Sequence, residues 1–139
     1  MNDHKFEDLK VGMKASFERE LKAADLDAFT ALSGDHSPIH VDTAYAKAQG
    51  FQDRVAHGLL SSSFYSTLVG VYLPGKRALL RDIKIEFLAP VFAGDRLIIE
   101  GEVVEIHEEF RVIEIKASIS NSKGVRISRA KIKVGLRET

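Results

Sequence analysis

An α+β fold follows from two contrasting stretches of this 139-residue chain. Over residues 57–73, Leu60, Phe64, Leu68 and Val71 recur at intervals of three or four, which lays one apolar stripe along a helix. From Leu79 onward the apolar residues alternate instead: Ile83, Ile85 and Phe87, then Leu97, Ile99 and Val103, then Val112 to Ile119, then Val125 to Val134. A long helix followed by a run of antiparallel strands packs as a helix covered by a sheet.

The remaining elements follow in chain order. Phe6, Leu9 and Val11 are anchors in a polar lead-in, and Met13 to Leu21 reads as a strand with Ala15 and Phe17 on one side. A helix is expected over 23–33, where Leu26, Phe29 and Leu32 recur every third residue and Gly34 supplies the stop. Its start has no favoured cap, since Lys22 and Ala23 stand where Ser, Thr or Asp would serve. Asp42 caps a short helix that Gly50 ends, with Tyr45 and Phe51 tying it to the body. Pro74-Gly75 closes the long helix, which at 17 residues spans about 25 Å. Turn signals at Ala93-Gly94-Asp95, His107-Glu108-Glu109 and Asn121-Ser122-Lys123-Gly124 separate the strands.

Composition narrows the partners. Residues 1–139 are expected to form one domain, with 45% hydrophobic and 29% charged residues, as in an ordinary globular protein. Twenty basic and twenty acidic residues cancel, which argues against nucleic acid as a partner. The absence of cysteine excludes disulfides, thiolate nucleophiles and thiolate metal sites, and suits a reducing cytoplasm. No apolar run reaches the ~20 residues of a membrane span, so no membrane partner is expected, and the polar first residues do not read as a secretory signal.

The chemistry concentrates in Ser33-Gly34-Asp35-His36-Ser37-Pro38-Ile39-His40. Pro38 prevents a helix from running through Asp35 to His40 and biases Ser37 away from the α region. Asp35 and His40 are therefore expected on a rigid, non-repetitive turn. A carboxylate beside an imidazole can take a proton from water and pass one on. The same residues also suit an Asx-turn and a histidine satisfied by backbone.

The run Phe29 to Asp42, followed by Ala46, Gly50-Phe51 and His57-Gly58-Leu59-Leu60, resembles the MaoC-like dehydratase family, best known for (R)-specific enoyl-CoA hydratases. The likeness continues through Phe87-Leu88-Ala89-Pro90-Val91 and Gly94-Asp95-Arg96-Leu97, and so spans almost the whole chain. It implies the hotdog fold, a long central helix wrapped by an antiparallel sheet, usually paired into a homodimer. It implies an acyl-CoA or acyl-carrier thioester as substrate and no cofactor. Asp35 and His40 would share one activated water, and Gly58 would offer its N–H to the thioester oxygen. Ser66 matches by spacing a serine of the family's active site, whereas Ser62 stands on the same helix face as Gly58 and is the alternative. A hotdog thioesterase or a non-catalytic binding module are the competing readings.

Two other constellations bear on the site. His36 and His40 have a helical metal-ligand spacing, but Pro38 removes the helix and no third acidic or cysteine ligand is implied, so no metal is expected. His57 reads as a ring bracing the start of the helix through a backbone hydrogen bond, with a second catalytic base as the alternative. Arg54, Arg77, Arg81 and Lys84 are candidate partners for the phosphates of the substrate's carrier arm.

Overall fold

The computed structural model describes residues 1–138. Five strands form one antiparallel sheet in the order β1-β3-β4-β5-β2: β1 Lys14–Glu20, β2 Ala78–Phe87, β3 Arg96–His107, β4 Val112–Asn121 and β5 Arg126–Leu136. Four helices accompany it: α1 Ala23–Ser33, α2 Pro38–Val41, α3 Thr43–Ala48 and α4 Gly58–Thr67. The long helix of the sequence reading is thus α4 plus a wider π-type turn, Leu68–Tyr72.

Register explains how the sheet receives that helix. Across all five strands one inward row reads Ala15, Gly101, Ala117, Ala130, Ile85, four of them small. The rows on either side are bulkier: Phe17, Ile99, Ile119, Ser128, Phe87 and, from β3 to β2, Val103, Ile115, Ile132, Ile83. The small row makes a furrow, and Leu68 lies in it so closely that a Cβ on Gly101 would stand 2.7 Å from Leu68 Cδ2. At the same seam the Tyr65 hydroxyl lies 2.8 Å from Ser128 Oγ, both residues buried. Tyr72 then stacks on Phe17 with ring centroids 4.8 Å apart.

Several local expectations are revised. Leu60 and Leu68 are buried as the stripe requires, but Tyr65 and Val69 are buried with them while Phe64 and Val71 are only half-buried. The π turn holds more residues per turn than an α-helix and so rotates the inward face. Leu32 lies on the outside of α1, 85% exposed, rather than on its core face. Ala46, not Tyr45, anchors α3, while Asp42 caps that helix as expected by accepting from the Tyr45 N–H at 3.0 Å. The uncapped start of α1 is resolved by Asp25, whose carboxylate accepts the Lys22 N–H at 2.8 Å.

Candidate active site

The end of α1 builds the carboxylate half of the site. Gly34 takes a left-handed conformation (φ 77°), and its N–H donates to Thr30 O at 2.9 Å. Ser33 Oγ donates to Phe29 O at 2.7 Å and accepts the Asp35 N–H at 3.1 Å. Asp35 Oδ1 accepts the Ser37 N–H at 3.2 Å, an Asx-turn that leaves Oδ2 uncommitted. Pro38 does not abolish helix beyond this point, as the non-repetitive turn would require. It starts one: with no N–H to lose at the first position, it opens the single turn α2, which carries His40.

The imidazole half is fixed by backbone. His40 Nδ1 lies 2.7 Å from Val55 O, a carbonyl that can only accept, so Nδ1 carries the hydrogen and, in the neutral ring, Nε2 is bare. Val55 is itself held, its N–H donating to Ile39 O at 2.9 Å, and the neighbouring Ala56 N–H donates to Val91 O at 2.7 Å. Nε2 stands 3.8 Å from Asp35 Oδ2, with the His40 side chain largely buried and that of Asp35 half exposed. This separation is too long for a direct hydrogen bond and suits one water bonded to both atoms.

The His57 ring does make the expected backbone hydrogen bond, but to a residue outside α4. His57 stands at the N-cap of α4 but makes no side-chain cap bond. Its Nε2 donates to the Asp35 carbonyl at 3.0 Å and lies 3.1 Å from Thr30 Oγ1. Its ring stacks on that of His40, centroids 4.0 Å apart and planes 25° from parallel. The sequence signal for this role is its place beside Gly58 in the second motif of the resemblance; no periodicity marks it.

A third potential ligand, a histidine, reaches the Asp35–His40 pair: Asp35, His40 and His57 each offer a ligand atom within 4.8 Å of the others. The stacking is nevertheless wrong for chelation. Ring nitrogens donate in the plane of the ring, and two nearly parallel rings 4.0 Å apart cannot both aim in-plane lone pairs at one ion between them.

Gly58 opens α4, where an N–H has no intrahelical acceptor and the helix dipole is positive. A Cβ there would meet the Phe87 ring at 2.9 Å, so the end of β2 lies directly over this glycine. Ser62 is buried and its Oγ has no hydrogen-bond partner among the described residues, whereas Ser61 and Ser63 donate back to Gly58 O and Leu60 O. Ser66 is exposed. Among the described residues neither Ser62 nor Ser66 is hydrogen bonded to Asp35, His40 or His57. Arg54, a candidate for carrier phosphates, is engaged internally: Nη1 donates to Asp27 Oδ1 at 2.7 Å and to His40 O at 3.4 Å. Arg77 likewise pairs with Asp3 at 2.6 Å.

The family described as "MaoC like domain" matches residues 6–125, which contain every residue of this site. The chain belongs to the MaoC-like family. Among MaoC-like relatives, the (R)-specific enoyl-CoA hydratase of Aeromonas caviae is 36% identical over 116 residues, covering 84% of this chain and 87% of that protein. The 3-hydroxybutyryl-CoA dehydratase of Methylorubrum extorquens is 34% identical, over 83% of this chain and 73% of that one. The solved structure of the unliganded R-hydratase PhaJ1 from Pseudomonas aeruginosa superposes with a TM-score of 0.90 at 31% identity, covering 96% of this chain and 86% of that one. The fold is the hotdog arrangement of these MaoC-like hydratases.

Proposed function

We propose that this MaoC-like protein, with the whole chain acting as one catalytic domain, adds water to trans-2-enoyl-CoA thioesters to give (R)-3-hydroxyacyl-CoA, and catalyses the reverse dehydration. The observation that carries this reading is the 3.8 Å gap between Asp35 Oδ2 and the bare His40 Nε2. A water bridging the two atoms loses one proton to the pair as its oxygen bonds to C3, and the pair returns a proton to C2. Water supplies both groups added, and the reaction as written consumes nothing else. Negative charge develops on the thioester oxygen in the enolate-like transition state. The Gly58 N–H at the positive end of α4 is the group we assign to that oxygen. Ser62 and Ser66 are proposed as substrate contacts, and Ser62, with its free hydroxyl buried on α4, is the better supported of the two. The (R) outcome rests on the relatives named above.

We also propose a homodimer working in the cytoplasm. Edge strand β2 exposes Leu79 and Leu80, and Leu32, Leu59, Phe87 and Leu88 are exposed as well. No helix among the described residues is long and apolar enough to cross a membrane.

The test is to incubate the purified protein with crotonyl-CoA and follow loss of the enoyl absorbance, resolving the product on a chiral column. Formation of (R)-3-hydroxybutyryl-CoA is expected. Release of free CoA without hydration would point to thioester hydrolysis and overturn the assignment.

A further inference from the structure

We propose that His57 is a positioning residue for both halves of the catalytic pair, holding the Asp35 backbone through its N–H and the His40 ring through its face. The inference rests on the hydration reading for its kinetic consequence, but its geometry stands apart from that reading.

His57 is 2% exposed. If the fold needed only volume here, an apolar ring would serve without the desolvation that a buried imidazole incurs. The imidazole does nothing for α4, since it makes no cap bond. Its Nδ1 is buried with no hydrogen-bond partner among the described residues, so the polarity of the ring is only half compensated. What the ring does provide is directed at the catalytic residues. The Asp35 carbonyl can only accept, which places the hydrogen on Nε2 and makes His57 a donor to the residue whose carboxylate faces the reacting water. The Ser33 hydroxyl holds the N–H of Asp35, and His57 holds its C=O, so the peptide groups on both sides of its Cα are fixed.

The second contact acts on His40. That ring is pinned at one atom by Val55 O, which leaves it free to swing about that bond. The flat face of His57 at 4.0 Å blocks the swing on one side. Phe29 is tilted against the far partner of this pair, 4.8 Å from the His57 ring, and keeps His57 from retreating. A rigid supporting shell of this kind is what keeps catalytic groups within tolerance, and a displacement of about 1 Å can cost on the order of 10²-fold in rate.

Three variants separate the two contacts. His57→Phe keeps the stack and removes the donor; His57→Gln keeps an N–H and removes the stack; His57→Ala removes both. With crotonyl-CoA, kcat is expected to fall about 10-fold in each of the first two and about 100-fold in the alanine variant. KM should stay within about threefold in all of them, because the ring is not assigned to substrate binding. Circular dichroism and thermal melts establish that each variant is folded. Crystal structures of His57→Phe and His57→Ala without substrate supply the second readout. There the separation of Asp35 Oδ2 and His40 Nε2 should depart from 3.8 Å. Unchanged kcat in His57→Ala, a loss confined to KM, or an unaltered separation would each overturn the proposal. If the parent protein hydrates no enoyl thioester, the functional reading fails while the crystallographic readout still decides the role of His57.

Discussion

The Tyr65 hydroxyl and Ser128 Oγ lie 2.8 Å apart, buried where α4 meets the sheet. Ser128 is the one polar member of an otherwise apolar inward row, and the tyrosine is its only hydrogen-bonding partner among the described side chains. Tyr65→Phe strands the serine and is expected to cost about 1–3 kcal/mol by chemical denaturation, and Tyr65→Phe combined with Ser128→Ala should recover part of that loss. Burial, partly offset by the Ser128 bond, raises the Tyr65 phenol above its ordinary range. A raised folded-state pKa gives stability that is intact below the unfolded value and lost as pH rises, so the wild-type melting temperature should drop above pH about 10 more steeply than that of Tyr65→Phe.

Asp35→Asn and His40→Ala are each expected to lower kcat/KM for enoyl-CoA hydration by about 10²–10⁴ with the fold intact. In the proposed mechanism both groups act on one water, so the double variant should be little worse than the more damaging single one. Two losses that multiply in full would argue for separate roles.

Gly58→Ala tests the oxyanion assignment. Propensity alone predicts a stabilised helix, but the new methyl group would stand 2.9 Å from Phe87 Cε1. The Phe87 ring is 54% exposed and can swing outward, so a small drop in melting temperature is expected together with a fall in kcat/KM of about 10²-fold. Adding Phe87→Ala should make room for the methyl group and return the melting temperature without returning the activity. Unchanged kcat/KM in Gly58→Ala would remove its N–H from the reaction.

On the outer face, Glu105 and Glu114 are directly opposed on β3 and β4, and His107 Nε2 lies 3.6 and 3.5 Å from their carboxylates. The hydrogen bond and charge of Glu114 hold the Glu105 carboxyl above the usual range, while the bond to Glu105 is the first of the influences that hold Glu114 below it. The raised Glu105 value means stability that is present below the unfolded carboxylate range and lost as pH rises through the folded one. Glu105→Gln should therefore raise the melting temperature at pH about 7 and make no difference below pH about 3, where the glutamate is protonated folded or unfolded. Equal effects at both pH values would rule out charge as the cause.

The dimer is checked at β2. Leu79→Glu with Leu80→Lys places charges along the exposed edge and should give a lower apparent mass in sedimentation equilibrium than wild type at the same concentration. A wild-type protein that sediments as a monomer at every concentration would contradict the pairing.

Much of this architecture was legible in the sequence because it depends on local chemistry. Alternation marked every strand, Gly34 marked the end of α1 to the residue, and Asp42 marked the start of α3. Pro38 was legible as a barrier but not as an opener, since the same missing N–H serves both ends of a chain reversal. The π turn was not legible, because its wider winding is set by packing against the furrow and leaves no periodic trace. At the candidate site, the juxtaposition of Asp35 and His40 was legible from residue type and spacing. The place of His57 at the start of α4 and its bond to backbone were legible too, but not the partners: its contacts run to residues 30, 35 and 40, and no spacing rule relates position 57 to them.

The bond between His40 Nδ1 and Val55 O also decides how protons can travel. An imidazole with both nitrogens free can relay, taking a proton at one side and releasing it at the other. Here one side is closed by a carbonyl that cannot accept a proton in exchange, so the ring is a dead end rather than a wire. Whatever arrives at Nε2 must leave from Nε2, on the side that faces Asp35. During dehydration of a thioester carrying tritium at C2, the label abstracted from carbon should linger while product remains bound, and some of it should return to C2 in recovered substrate instead of washing into bulk water.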